Sequence, residues 1–97
     1  MKIALFGTTF NEAKAVYVQH LINKLEQENV DLIIESQFSE LLSDIKFKNE
    51  YSTFDTPQEL KENADIILSI GGDGTLLATI TLVRDSGIPI LGINTGT

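Results

Sequence analysis

Most of the strongly apolar runs in this chain do not alternate. Residues 2–6, 31–35, 65–70 and 88–93 are short stretches dominated by Ile, Leu, Val and Ala. A strand with one wet face shows apolar and polar residues in turn. Near-continuous runs of this length instead suit strands covered on both faces, as in a parallel sheet. Parallel neighbours cannot be joined by a hairpin and need long crossovers, and the segments between the runs carry helical patterns. The expected order β-α-β-α-β-α-β is a doubly wound α/β domain: a mostly parallel sheet, flanking helices and right-handed crossovers. A chain of 97 residues has room for one such domain, spanning 1–97, with one modest core.

The helices carry their own boundary signals. Thr9 and Glu12 have capping-box spacing, which predicts a first helix from about Thr9. Val18, Leu21, Ile22 and Leu25 then recur as an apolar stripe, ending before Glu28 and Asn29. Thr56, Pro57 and Glu59 form a second capping box with proline at the first helical position, predicting a helix to about Asn63. A last helix is expected from about Thr75, with Leu76, Leu77, Ile80 and Val83 as its buried stripe. Gly87 and Pro89 end it. Its β-branched Thr79, Ile80, Thr81 and Val83 give it weak propensity, so packing must hold it. Residues 36–55 are the least legible: 40–45 suit a short helix, and 47–54 an irregular polar loop carrying Phe47, Tyr51 and Phe54.

Composition closes several functional classes. The chain has no cysteine, which excludes a disulfide scaffold, a thiolate metal site and a cysteine nucleophile. With His20 as the one histidine and no cysteine, no transition-metal site is expected. Fourteen acidic residues against seven basic give a net charge of −7, which repels phosphate backbones, so nucleic acid is not an expected partner. A phosphate-bearing ligand would be held by backbone dipoles or Mg²⁺ rather than by arginines. No run approaches the ~20 apolar residues of a membrane span, and no secretory leader is expected before the first strand. The expected location is the cytoplasm, without a membrane partner.

In doubly wound sheets ligands bind outside the carboxyl ends of the strands. That puts residues 7–9, 71–75 and 94–97 on the functional edge, and one of these stretches carries a motif. Ser69-Ile70-Gly71-Gly72-Asp73-Gly74-Thr75 joins the third apolar run to the last helix. Gly71 and Gly72 permit positive φ and a close approach of ligand to backbone, and Gly74 does the same as the helix opens. The first-turn N–H groups and the positive end of the helix dipole suit a phosphate. Thr75 is expected as the N-cap or as a hydroxyl contact. Asp73 suits a general base for a hydroxyl, a Mg²⁺ ligand beside phosphates, or simply a turn former. The loop is neither a P-loop nor G-x-G-x-x-G.

Ser-Ile-Gly-Gly-Asp-Gly-Thr-Leu-Leu at 69–77, followed by Ile-Pro-Ile-Leu-Gly-Ile-Asn-Thr-Gly at 88–96, strongly resembles the N-terminal domain of NAD kinases. Diacylglycerol kinases, sphingosine kinases and phosphofructokinases carry similar Gly-Gly-Asp-Gly loops, but the second stretch is particular to NAD kinases. The resemblance implies phosphoryl transfer from ATP, or another donor, to the 2′-hydroxyl of the NAD adenosine ribose, with a divalent cation such as Mg²⁺. By it, Asp73 would orient and deprotonate that hydroxyl. Gly71, Gly72, Gly74 and Thr75 would hold phosphates or NAD, and Asn94 and Gly96 would line the same pocket. A homo-oligomer is implied as well. The chain departs from the family pattern at Ala78, where a polar residue is common, and at Thr97, where the family usually continues with a basic residue. Two other readings stand beside it: a diacylglycerol-type lipid kinase domain, and a non-catalytic nucleotide-binding remnant.

His20, Arg84 and the aromatic residues of 47–54 are read as ordinary surface, helix-end and loop-packing residues. Thr8, Thr9 and Asn11 divide between capping and ligand contact. The family's second, β-rich domain is expected to lie outside residues 1–97. Half a cleft buries too little of a dinucleotide to hold it. The 97 residues are therefore expected to have little or no kinase activity alone. ATP-dependent NADP formation above the buffer rate by the purified chain would overturn this.

Overall fold

The non-alternating runs lie side by side in one parallel sheet. The computed structural model describes residues 1–94. Its elements are β1 (Lys2–Phe6), α1 (Glu12–Gln27), β2 (Asp31–Glu35), α2 (Ser36–Leu41), β3 (Ser52–Phe54), α3 (Pro57–Asn63), β4 (Ile66–Gly71), α4 (Asp73–Val83) and β5 (Ile90–Asn94), with a 3₁₀ turn at Arg84–Ser86. The sheet order is β3-β2-β1-β4-β5, and every neighbouring pair is parallel. The chain winds outward from β1 through β2 to β3, then returns to β4 on the other side of β1. The loops that follow β1 and β4 therefore leave in opposite directions, opening a crevice between them.

The apolar runs are continuous because both sheet faces need them. On one face Ile3, Leu5, Leu32, Ile34, Leu68 and Ile70 meet Val18 and Ile22 of α1 and Phe38 of α2. On the other, Ala4, Ile33 and Ile67 meet Phe54, Leu60 and Val83. Successive strand residues feed alternate cores, as the two-residue period of a strand requires.

Strands β1 and β2 occupy the predicted residues, and β4 and β5 are shifted by one or two. Helix α3 has the predicted capping box: Glu59 N donates to Thr56 Oγ1 at 3.1 Å and Thr56 N donates to Glu59 Oε1 at 3.2 Å. Helix α1 does not start at Thr9. Its N-cap is Asn11, whose Oδ1 accepts from Lys14 N at 3.0 Å, and asparagine is the better cap of the two. In its stripe Val18 and Ile22 are buried, with Leu21 and Leu25 packed at the margin.

The stretch 36–55 holds the largest correction. Helix α2 begins four residues earlier than the predicted 40–45, because the Glu35 carboxylate accepts from Gln37 N and Phe38 N at 3.1 and 2.9 Å. Residues 47–54 are not all loop, for Ser52–Phe54 forms the edge strand β3 on β2. The preceding loop is tied to α1: Glu26 Oε2 accepts from Lys48 N and Asn49 N, both at 2.8 Å. The Gln19 amide makes paired hydrogen bonds with the Lys46 backbone. Phe47 and Tyr51 pack with ring centroids 4.5 Å apart, the loop-packing role expected of them.

Phe54 is fully buried in the second core. Its replacement by alanine is expected to destabilise the fold by roughly 3–5 kcal/mol. The same change in an irregular surface loop would cost no more than about 0.5 kcal/mol. Thermal or urea unfolding of the Phe54→Ala protein distinguishes the two.

Candidate functional site

The site candidate is built where β4 hands over to α4. Gly71 ends the strand with φ +149°, and a Cβ there would stand 2.5 Å from Thr75 Oγ1. Both the dihedral and the space demand glycine. Gly72 is the N-cap of α4, with φ −103°, so the positive φ expected of it is not used. Thr75, the cap expected from the sequence, lies inside the first turn instead. Having no side chain, Gly72 supplies no acceptor to the first-turn N–H groups, which by helix geometry have no intrahelical partner either. The positive end of the helix dipole thus faces the crevice, with Asp73 of the first turn as the acidic side chain beside it.

Thr75 is buried, and its hydroxyl lies 2.9 Å from that of Thr8, which follows β1. That bond joins the two diverging loops. Below it, the Thr79 hydroxyl shares 2.8 Å hydrogen bonds with Ser69 Oγ and the Thr75 carbonyl. The sheet-facing side of α4 is accordingly Thr75, Thr79 and Val83. The predicted stripe fails at Leu76, Leu77 and Ile80, which are 36, 66 and 50 % exposed. Starting the helix at Asp73 and seating Thr75 on Thr8 and Thr79 on Ser69 turns the leucines outward.

Asp73 is the first residue of α4 and is exposed. Among the described residues its carboxylate has no hydrogen-bond or ion-pair partner. It borders two hollows. One, of ≈ 450 Å³, is lined by Thr8, Thr9, Asn11, Lys14 and the Gly72–Thr75 turn, numbered 72–75. The other, of ≈ 190 Å³, is lined by Gly71, Leu76, Gly92 and Asn94, with Gly72 and Asp73 shared. A third hollow of ≈ 470 Å³ lies by Lys2, Asp31 and Asn63. It is at the amino ends of the strands, the wrong side of an open α/β sheet for a ligand.

Of the residues singled out in the sequence, Gly71, Gly72, Asp73, Gly74, Thr75 and Asn94 come together here. Gly96 lies outside the described residues. His20 is exposed on α1, and the Arg84 guanidinium Nε donates to Thr81 O at 3.1 Å, the surface and helix-end roles expected of them. Sequence reasoning passed over Lys14, which lines the larger hollow. A signal was present: Lys14, Val18 and Ile22 are spaced by four, so the lysine stands on the buried stripe of α1.

Three comparisons bear on this geometry. Residues 5–97 match the family model described as the ATP-NAD kinase N-terminal domain. The chain is 41 % identical over 97 residues to an NAD kinase of Flavobacterium psychrophilum, covering 99 % of this chain and 33 % of that protein. It is 39 % identical to an NAD kinase of Christiangramia forsetii with the same coverage. The chain thus spans about a third of the length of these curated relatives. In fold it is similar to a yeast NADH kinase solved in complex with NADH, with a TM-score of 0.78 at 20 % identity, covering 99 % of this chain and 31 % of that one.

Two glycines of the turn separate folding from ligand. Gly71→Ala is expected to destabilise by roughly 1–3 kcal/mol through strain and overlap with Thr75. A Cβ at Gly74 would meet no protein atom within 4 Å, so Gly74→Ala should leave stability unchanged or raise it by up to ~1 kcal/mol. Melting curves of both variants check this.

Proposed function

This chain belongs to the ATP-NAD kinase family, and from that premise we propose a phosphoryl transfer in which the γ-phosphoryl group of ATP passes to the 2′-hydroxyl of NAD. The single observation that supports it is the position of Asp73, an unpartnered carboxylate bordering both hollows beside the open end of α4. A hydroxyl presented from one hollow and a phosphate held at the helix end would meet at that carboxylate. The 2′-oxygen attacks the γ-phosphorus, the bond from that phosphorus to the β-phosphate bridging oxygen breaks, and ADP departs. The hydroxyl proton goes to Asp73.

Little covalent chemistry falls to the protein in such a transfer. Positioning and offsetting the phosphate charge supply most of the rate. The α4 dipole and the N–H groups of residues 73–75 would contribute part of that offset. The described residues include no group of three or more His, Cys, Asp or Glu able to cage a metal. One free carboxylate beside a phosphate site does fit Mg²⁺, which commonly binds through one or two carboxylates plus substrate phosphates. A divalent cation bound there would neutralise charge on the transferred group, with Asp73 as its protein contact. Gly71, Gly72 and Gly74 would let the phosphates approach the backbone, and Asn94 would line the acceptor side.

Residues 1–97 form one α/β domain in this reading, and a β-rich second domain elsewhere in the full-length protein supplies the opposite wall of the cleft. The reading also includes a cytoplasmic homo-oligomer, on family likeness alone. No helix among the described residues is long and apolar enough to cross a membrane.

Asp73→Asn in the full-length protein tests the reading. NADP formation should fall by about 10²- to 10⁴-fold, the worth of a general base, while NAD binding measured by calorimetry is retained. A rate that scarcely moves with NAD still bound would remove Asp73 from the role of base.

A further inference from the structure

Lys14 is the one basic side chain of this acidic protein that the fold takes inside. It is 4 % exposed, whereas Lys2, Lys24, Lys46, Lys48, Lys61 and Arg84 are all exposed. Burying an ammonium group is costly unless an anion or several acceptors receive it. Its polar company is slight: Nζ donates to Thr9 Oγ1 at 2.8 Å. The ion pair recorded among the described residues is Lys24 with Glu28, on the far end of the helix. An ammonium has three donors, so two remain once Thr9 is served.

The surroundings indicate what those donors are for. Lys14 lines the ≈ 450 Å³ hollow that Asp73, Gly74 and Thr75 border from the opposite side. The N–H groups opening α4 face that same space without a side-chain cap. A buried cation and a helix amino end that share one hollow make a site for an anion with several oxygens. In a protein of net charge −7, this hollow sets a buried cation and a helix amino end beside the single carboxylate of Asp73.

We propose that Lys14 is a phosphate-binding residue of this hollow, donating to a phosphoanhydride chain held between its ammonium group and the first turn of α4. The proposal rests on the phosphoryl-transfer reading above and deepens it by naming a cation within this domain. Two phosphoanhydrides are candidates, the polyphosphate of ATP and the pyrophosphate of NAD, and the kinetics separate them. Thr9 fixes the lysine's direction, so α1 contributes to the site as well as to the core.

The test uses the full-length protein with Lys14→Gln, which keeps a donor for Thr9 and removes the charge, and Lys14→Arg, which restores the charge. Tripolyphosphate binding is measured by calorimetry, and KM is measured separately for ATP and NAD. Lys14→Gln should weaken tripolyphosphate binding by ~10- to 100-fold, as loss of a charge-assisted hydrogen bond does. It should raise KM for one of the two substrates by a similar factor, and Lys14→Arg should recover part of each loss. A rise confined to ATP assigns the contact to the donor, and one confined to NAD to the acceptor. Tripolyphosphate binding and both KM values unchanged in Lys14→Gln would overturn the proposal, leaving Lys14 a tether for Thr9. Should that variant not fold, the Lys14 ammonium resonance of the unmodified protein decides. It is expected to shift on saturation with tripolyphosphate, and a resonance that stays in place overturns the proposal. An unmodified protein that forms no NADP yet binds tripolyphosphate through Lys14 would remove the kinase reading and keep this one.

Discussion

Strand β1 is hydrogen-bonded in parallel to β2 on one side and to β4 on the other, so it has neither a free edge nor a wet face. That placement requires apolar side chains on both sides of Ile3, Ala4 and Leu5. It also requires Gly7 immediately after, where a Cβ would stand 2.5 Å from the Phe38 ring and 3.0 Å from the Ile70 carbonyl. Because β4 returns beside β1 and not beside β3, the Thr8 and Gly72 loops diverge from adjacent strand ends. The crevice, the hydroxyl pair that spans it, and the junction at Asp73 are all consequences of that one return.

The fold was legible wherever both faces of a strand had to be apolar, since burial then writes an unbroken run. It was illegible where three residues sufficed. Ser52–Phe54 is an edge strand with two exposed residues, too short and too polar to leave a pattern, and only the fully buried Phe54 betrays it. Residues 36–41 form a helix because Glu35, the last residue of β2, turns its carboxylate onto the next backbone amides. A cap supplied by the preceding strand does not resemble the Ser, Thr, Asn and Asp signals by which helix starts are read.

At the candidate site, the turn glycines and Asp73 were visible because their residue types are unusual together. The orientation of α4 was not. Hydrophobicity assigned Leu76, Leu77 and Ile80 to the interior, yet the helix turns threonines inward, where Ser69 and Thr8 give their hydroxyls partners. Satisfied polar groups can outcompete leucines for a place against a sheet when the sheet itself presents a hydroxyl. Lys14 was overlooked for the converse reason: a charge on an apolar stripe reads as an interruption until its surroundings are seen.

The outward-facing Leu76 of α4 lies next to β5, where a Cβ at Gly92 would stand 3.8 Å from Leu76 Cδ1. Among the described residues strand β5 is the outermost of the sheet on that side, carries Leu91 52 % exposed, and contains neither charge nor proline. An edge of that kind, where bare, is a template on which a second strand can zip. Wherever this flank is bare, the mutual repulsion of a net charge of −7 is the main barrier to sheet-to-sheet growth. Acid, which protonates the carboxylates, or high salt, which screens them, lowers that barrier. Any such association would start at β5, on the flank of the sheet opposite β3.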